Sequence, residues 1–335
     1  MLNDYQTRMS NVLETDLPPP QDSPTLLELP DKRDRINSTF DIRQGLWEVL
    51  DFRQCDMLPI ISKRNSLLGK VMLPSQKMRY ELRFFAAIKN CQALLATLPA
   101  SEADDSVEAF KTRLDEIYQL KAANLPAEIW NGIYASGEIS KQFKTNASPL
   151  PLSKTAKGSP RLNTQSALNK LAYLSSLPTS DTFELPDWLD NIEDEYAIFH
   201  HSDFGSQLLA TLPLVTSSLN RVAAGIELRL KRKPFCYKGH QPQRATVLNN
   251  IFRKYYVQQV QPYMALLEQQ GKPWFETHDA IMTRLPAPPL MKKYQQQVLS
   301  TNNPRSLWGR WVSARNRHTK AWQTILGQCN MMPSV

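Results

Sequence analysis

The sequence predicts an all-α protein, an irregular multi-helix bundle with proline-marked connections and an extended N-terminal arm. Its 24 prolines and only 11 glycines mean many helix stops and few flexible residues, a balance that favours helices over sheets. Apolar residues recur at spacings of three and four along much of the chain, the period of one helix face. A 41% hydrophobic content over 335 residues is enough for a real core, and no run of 18 apolar residues offers a membrane span.

Residues 1–39 read as a helix followed by an arm. Asp4 to Leu13 is amphipathic, with Tyr5, Met9, Val12 and Leu13 on one side. From Leu17-Pro18-Pro19-Pro20 to Pro30 the prolines hold an extended geometry that lies along the body. Residues 40–335 form the helical domain, with a sub-boundary at the 146–163 loop. Its densest part is Phe40 to Leu98. Ile42, Leu46, Val49, Leu50 and Phe52 mark a short helix carrying Cys55, and Met57 to Leu68 mark another. Ser75, after Pro74, sits where an N-cap belongs. The long helix that follows turns Met78, Leu82, Phe85, Ile88, Cys91 and Leu95 inward. Between these helices Arg64 to Met72 makes a corner, with Gly69 suited to a C-cap and Asn65 and Ser66 to turn bonds. The same region, through Arg64, Asn65, Ser75 and Glu81, is a candidate binding cleft.

Further on, acids near Ser101 to Asp105 open a helix whose Val107, Phe110, Leu114 and Ile117 face a core. Leu125-Pro126 starts another, with proline in its first turn. Asn146 to Asn163 is rich in Ser, Pro and Lys without period and reads as a surface loop. Leu168, Leu171 and Leu174 make Gln165 to Leu177 helical. Asp181 to Asp203 holds eight acids and no Lys or Arg, on a helix opened by Pro186 and striped by Trp188, Ile192, Tyr196 and Phe199. Phe204 to Lys231 and Gln243 to Gln270, the latter kinked before Pro262, read as a bundle hairpin.

Several of these segments carry a resemblance. Arg64-Asn65-Ser66, Leu68-Gly69-Lys70-Val71-Met72, Pro74-Ser75 and Tyr80-Glu81-Leu82 resemble the signature of a family of uncharacterised helical lipoproteins from gammaproteobacterial envelopes, known only as a domain of unknown function. So do Phe204-Gly205 with Leu208-Leu209, Lys233-Pro234-Phe235-Cys236, and His318-Thr319-Lys320-Ala321-Trp322 with Cys329 and Met332-Pro333. The resemblance covers most of the chain. It implies export and a lipid-anchored N-terminus on the periplasmic side of the envelope, and it brings no catalytic residue. The chain departs from it at the start, where Met1 to Asp16 has no apolar signal core and no cysteine precedes Asn3. A cytoplasmic protein is the alternative.

Charge is unevenly placed. Eight Lys or Arg and no acid lie between Arg284 and Val335, which equals the whole net charge of +8. Trp308, Trp311 and Trp322 alternate there with Arg305, Arg310, Arg315, Arg317 and Lys320. Such a face suits an envelope protein partner or an anionic membrane surface, and less well a nucleic acid, since no nucleic-acid motif accompanies it. If the tryptophans pack inward, the cations face water or pair with the Asp181 to Asp203 acids.

Catalytic chemistry finds little support. His200-His201 with Asp203 lack a second ligand pair at zinc spacing, and His240 and His318 sit among cations. GxSxG, P-loop and GxGxxG patterns are missing. No catalytic residue, cofactor or metal site is predicted, and the leading function is a non-enzymatic module that binds a partner or a surface. A hydrolase or small-molecule-binding protein using the Arg64 to Glu81 cleft is the alternative.

The four cysteines are separated by 36, 145 and 93 residues, which match no zinc or redox motif. In a reducing cytoplasm they would be four thiols. In an oxidising envelope they pair with their neighbours, Cys55 with Cys91 and Cys236 with Cys329.

Overall fold

The computed structural model describes residues 1–20, 27–40, 55–99, 105–151, 160–237 and 241–333, and every regular element among them is helical. α1 (Leu2–Leu13) buries the four predicted residues Tyr5, Met9, Val12 and Leu13. The chain then runs along the body: Arg221 donates to the Pro18 carbonyl at 2.8 Å. Past α2 (Lys32–Arg35) the Trp130 indole donates to the Arg35 carbonyl at 2.6 Å. Asn37 and Asn131 exchange two bonds, of 2.8 and 2.9 Å.

α3 (Leu58–Asn65) and the single turn α4 (Leu67–Lys70) lead into α5 (Pro74–Ala96). The predicted helix over 42–52 lies outside the described residues. Ser75 is not the N-cap, because Pro74 occupies the first helical position, where its missing N–H costs nothing. Gly69 is not a left-handed cap either. It lies inside α4, and a side chain there would strike the Lys63 and Arg64 carbonyls. α6 (Asp105–Tyr134) runs straight through Pro126, where a new helix was expected. Its first half packs Phe110, Leu114 and Ile117 against α5, and its second half buries Leu125, Ile129, Trp130 and Ile133, so tertiary burial on both sides outweighs the one lost bond.

Ser136 caps α7 (Gly137–Lys141). α8 (Pro160–Ser176) takes its first turn from the end of the predicted 146–163 loop, whose residues 152–159 lie outside the described set. α9 (Ile192–His201) follows a 3-10 turn (Asp187–Asn191) that buries Leu189 and leaves Trp188 only half-buried. α10 is Phe204–Arg232. A continuous rod then comprises α11 (Gln243–Ile251), a π-helical stretch (Phe252–Val260) and α12 (Gln261–Arg284). The helix loosens to π register just ahead of Pro262, which cannot donate. α13 (Pro289–Tyr294) and α14 (Leu307–Gln328), capped by Ser306, complete the order.

The expected hairpin of α10 with the rod does not form. α10 packs chiefly against α14 and α1, and α12 lies against α8. The clamp is visible at Arg317 of α14, which donates to Glu227 of α10 at 2.7 and 3.0 Å.

One large core extends from Tyr5 to Cys329, and a smaller one gathers Met57, Tyr80, Phe84, Ile88 and Phe110 around Cys91. The structure contains both expected disulfides, Cys55–Cys91 and Cys236–Cys329, each with Cα atoms 5.2 Å apart. Among the described residues no helix is long and apolar enough to cross a membrane.

Candidate functional site: a groove on the π-helical face

The π-helical stretch and α14 border a groove of about 800 Å³. Phe252, Tyr256 and Trp322 form its aromatic wall, with Tyr256 stacked on Trp322 at 5.8 Å between ring centroids. Phe252, Arg253, Tyr256 and Val257 of the π stretch lie on the groove side. Met331, Met332 and Pro333 close the opposite end. They are held by the Cys236–Cys329 bond, by Gln328 accepting from the Phe235 and Cys236 amides, and by Gln241 donating to the Cys329 carbonyl at 2.8 Å.

Behind the wall is a buried polar chain. The Trp322 indole donates to the Tyr5 oxygen at 2.7 Å, and that phenol is within 2.9 Å of His318 Nε2. The other ring nitrogen of His318, Nδ1, is buried without a hydrogen-bond partner. Burial pushes the His318 pKa down to about 3, so the imidazole is neutral. It is fully enclosed and offers no base to the groove. The groove's own polar groups are Arg253, Asn249, Gln261, Thr319 and Gln323, with no carboxylate, imidazole or thiol among them. This lining can bind, orient and hold charge, but it has no nucleophile with a base.

A family described as "Protein of unknown function (DUF3080)" matches residues 2–333. The chain belongs to this family. No curated protein and no solved structure matches it.

In this DUF3080 chain the four residues of the predicted cleft point in different directions. Ser75 donates to Glu193 of α9 at 2.8 Å. Glu81 accepts from Lys121 of α6 at 2.7 Å, with both side chains largely buried. Arg64 folds back to donate to the Gly69 carbonyl, and Asn65 is exposed. The turn bonds are made by Ser66, which accepts from the Gly69 amide at 3.0 Å and donates to the Lys63 carbonyl at 2.8 Å. The cavity that does exist beside the corner, about 260 Å³, is lined by Lys63, Gln76, Arg79, Tyr80 and Arg83 instead.

The C-terminal cations divide as well. Trp308, Trp311 and Trp322 are buried. Arg315 pairs with Glu268 and Arg317 with Glu227, not with the Asp181 to Asp203 acids. Three of the latter pair with other helices: Asp190 meets Arg83, Glu195 meets Lys170 and Asp203 meets Lys141. Arg305 and Lys320 remain exposed, and Arg310 donates to the Arg305 carbonyl at 2.9 Å. His200 and His201 are exposed with their rings nearly perpendicular, and among the described residues no group of His, Cys, Asp and Glu could hold a metal ion. His240 lies outside the described residues.

The sequence reading passed over two features. The π stretch has no signal beyond Pro262. His278 is the second buried imidazole, bonded through Nδ1 to the Tyr134 hydroxyl at 3.1 Å and ringed by Phe143 and Trp274. Its position on the stripe of Trp274, Phe275, Ile281 and Met282 was the available clue.

Proposed function

We propose that this protein is a non-catalytic binding module of the bacterial envelope, and that its π-helical groove takes a small amphipathic anion. The groove's lining carries this reading. Stacked aromatic and methionine walls suit an apolar body, Arg253 suits a negative end, and no carboxylate opposes it. Two disulfides support an oxidising compartment, where such bonds persist, in line with the envelope resemblance and its periplasmic side. Arg305, Arg310 and Lys320 of the basic C-terminal segment remain available to an anionic partner.

The test is a calorimetric titration with laurate, followed in parallel by tryptophan fluorescence because Trp322 is in the wall. Laurate should bind, dodecanol and Arg253→Ala should each weaken binding at least tenfold, and Val257→Trp should abolish it by filling the groove. Equal binding by all three proteins, or none by the wild type, refutes the assignment. Affinity for DNA that falls log-linearly with salt would instead favour a nucleic-acid role for the C-terminal cations.

A further inference from the structure

The corner between α3 and α5 presents what a folded chain normally hides. Within seven residues, Leu67 is 85% exposed, Val71 74% and Leu73 53%. Single exposed leucines are ordinary, but three large apolar side chains exposed at one corner mark a surface suited to a partner. The turn is also stiff. Arg64 ties down the Gly69 carbonyl, Ser66 bonds both ends of the α3 to α4 turn, and Gly69 passes too close to the Lys63 and Arg64 carbonyls to carry a side chain. The apolar groups are therefore held outward by the backbone.

Directly beside them lies the cavity of about 260 Å³, whose largely apolar lining, with Ile60 and Met72, also carries Lys63, Arg79 and Arg83 and no acid. Arg83 is neutralised by Asp190, whereas among the described residues Arg79 meets the Asp190 backbone carbonyl, at 2.6 Å, and no carboxylate, and Lys63 is exposed. Exposed apolar side chains next to a cavity edged by three cations match the layering of a phospholipid surface, in which phosphate lies just outside the acyl boundary.

We propose that the Leu67 to Leu73 corner docks the protein on an anionic phospholipid bilayer, with Leu67, Val71 and Leu73 entering the interface and Lys63 and Arg79 holding a lipid phosphate in the adjoining cavity. This goes beyond the groove and is independent of it. It also moves the membrane contact from the C-terminal helix to the corner, where apolar and cationic groups coincide.

The full chain should co-sediment with phosphatidylglycerol-containing vesicles and much less with pure phosphatidylcholine. Leu67→Ser, Val71→Ser and Leu73→Ser together should abolish sedimentation while leaving the melting temperature in place, since these side chains are already in water. Lys63→Gln with Arg79→Gln should weaken it by roughly 25-fold, about fivefold per cation. Arg253→Ala should leave it unchanged, which separates this result from that of the groove. Four outcomes overturn the proposal: sedimentation that survives the triple serine variant, sedimentation lost only when Arg305, Arg310 and Lys320 are reversed, competition by millimolar inorganic phosphate, which would mark a soluble-anion site, or self-association that the triple variant removes in protein that never binds vesicles.

Discussion

Tyr5 and His318 are 313 residues apart in the chain and 2.9 Å apart in the fold, joined by a hydrogen bond that Trp322 supports from the other side of the phenol. The bond pins the first helix to the last. Burial keeps the His318 imidazole neutral.

Acid should therefore unfold the protein early. His318 and His278 have pKa values pushed down by burial to about 3, below the ordinary value of 6.5. As pH falls below about 6.5 the unfolded chain takes up a proton at each site and the folded chain does not. The stabilisation from neutral burial, complete above 6.5, is thus lost on the way down to the folded values. The slope approaches about 1.4 kcal/mol per pH unit for each histidine. Urea midpoints at pH 7 and pH 5, above most carboxylate titration, should show it, and His318→Gln should remove about half of the dependence.

Glu81 and Lys121 form a pair with side chains 7% and 13% exposed, and Lys121 also lies 5.1 Å from the centroid of the Phe84 ring. Lys121→Met strands a buried carboxylate and should cost about 3 kcal/mol, whereas Glu81→Gln with Lys121→Met should recover much of that. Chemical denaturation of the two variants checks the order. If Glu81 served a ligand cleft, the single change would be nearly neutral.

The bidentate Arg317–Glu227 pair looks stronger than it should prove. Its side chains are 37% and 42% exposed, so water screens it, and Arg317→Ala should cost no more than about 1 kcal/mol. Arg310→Glu, on a half-buried side chain with no carboxylate partner among the described residues, should shift the melting temperature less still.

Protein recovered from an oxidising compartment should show no free thiol, and non-reducing peptide maps should link Cys55 to Cys91 and Cys236 to Cys329. In the loop-entropy model, removing the first bond should cost about 4 kcal/mol and the second, with its longer loop, somewhat more. The second loss should also weaken laurate binding, because Met331 to Pro333 would come free of the groove. Cys236→Ser/Cys329→Ser with unchanged affinity would separate the bond from the groove.

Helical class, α1, the extent of α10 and the cysteine pairing were legible because each rests on a local pattern or on chain order. α6 was not read whole. Pro126 is a strong local stop, and only the packing of Trp130 and Ile133 into the main core carries the helix through it. The α10 partner was missed because sequence neighbours suggest a hairpin, and periodicity says which face is apolar but not which helix covers it. Arg64, Asn65, Ser75 and Glu81 look like a cluster along the chain, yet on α3 and α5 their side chains diverge to three different neighbours. The groove depends on a C-terminal tail folded back by a disulfide onto a distant helix, which has no periodic signature.

The Tyr5 bond also fixes an order of events. α1 is covered mainly by α10 and α11, and its Tyr5 finds His318 and Trp322 only on α14, so its apolar stripe waits until residues 204–251 are made and its buried bond until residues 307–328 are. Closing a contact of that span is slow, and an uncovered stripe is prone to aggregate meanwhile. α1 is thus made well before the helices that cover it, and a chain stopped short of α10 would keep this apolar helix exposed as a mark of unfinished synthesis.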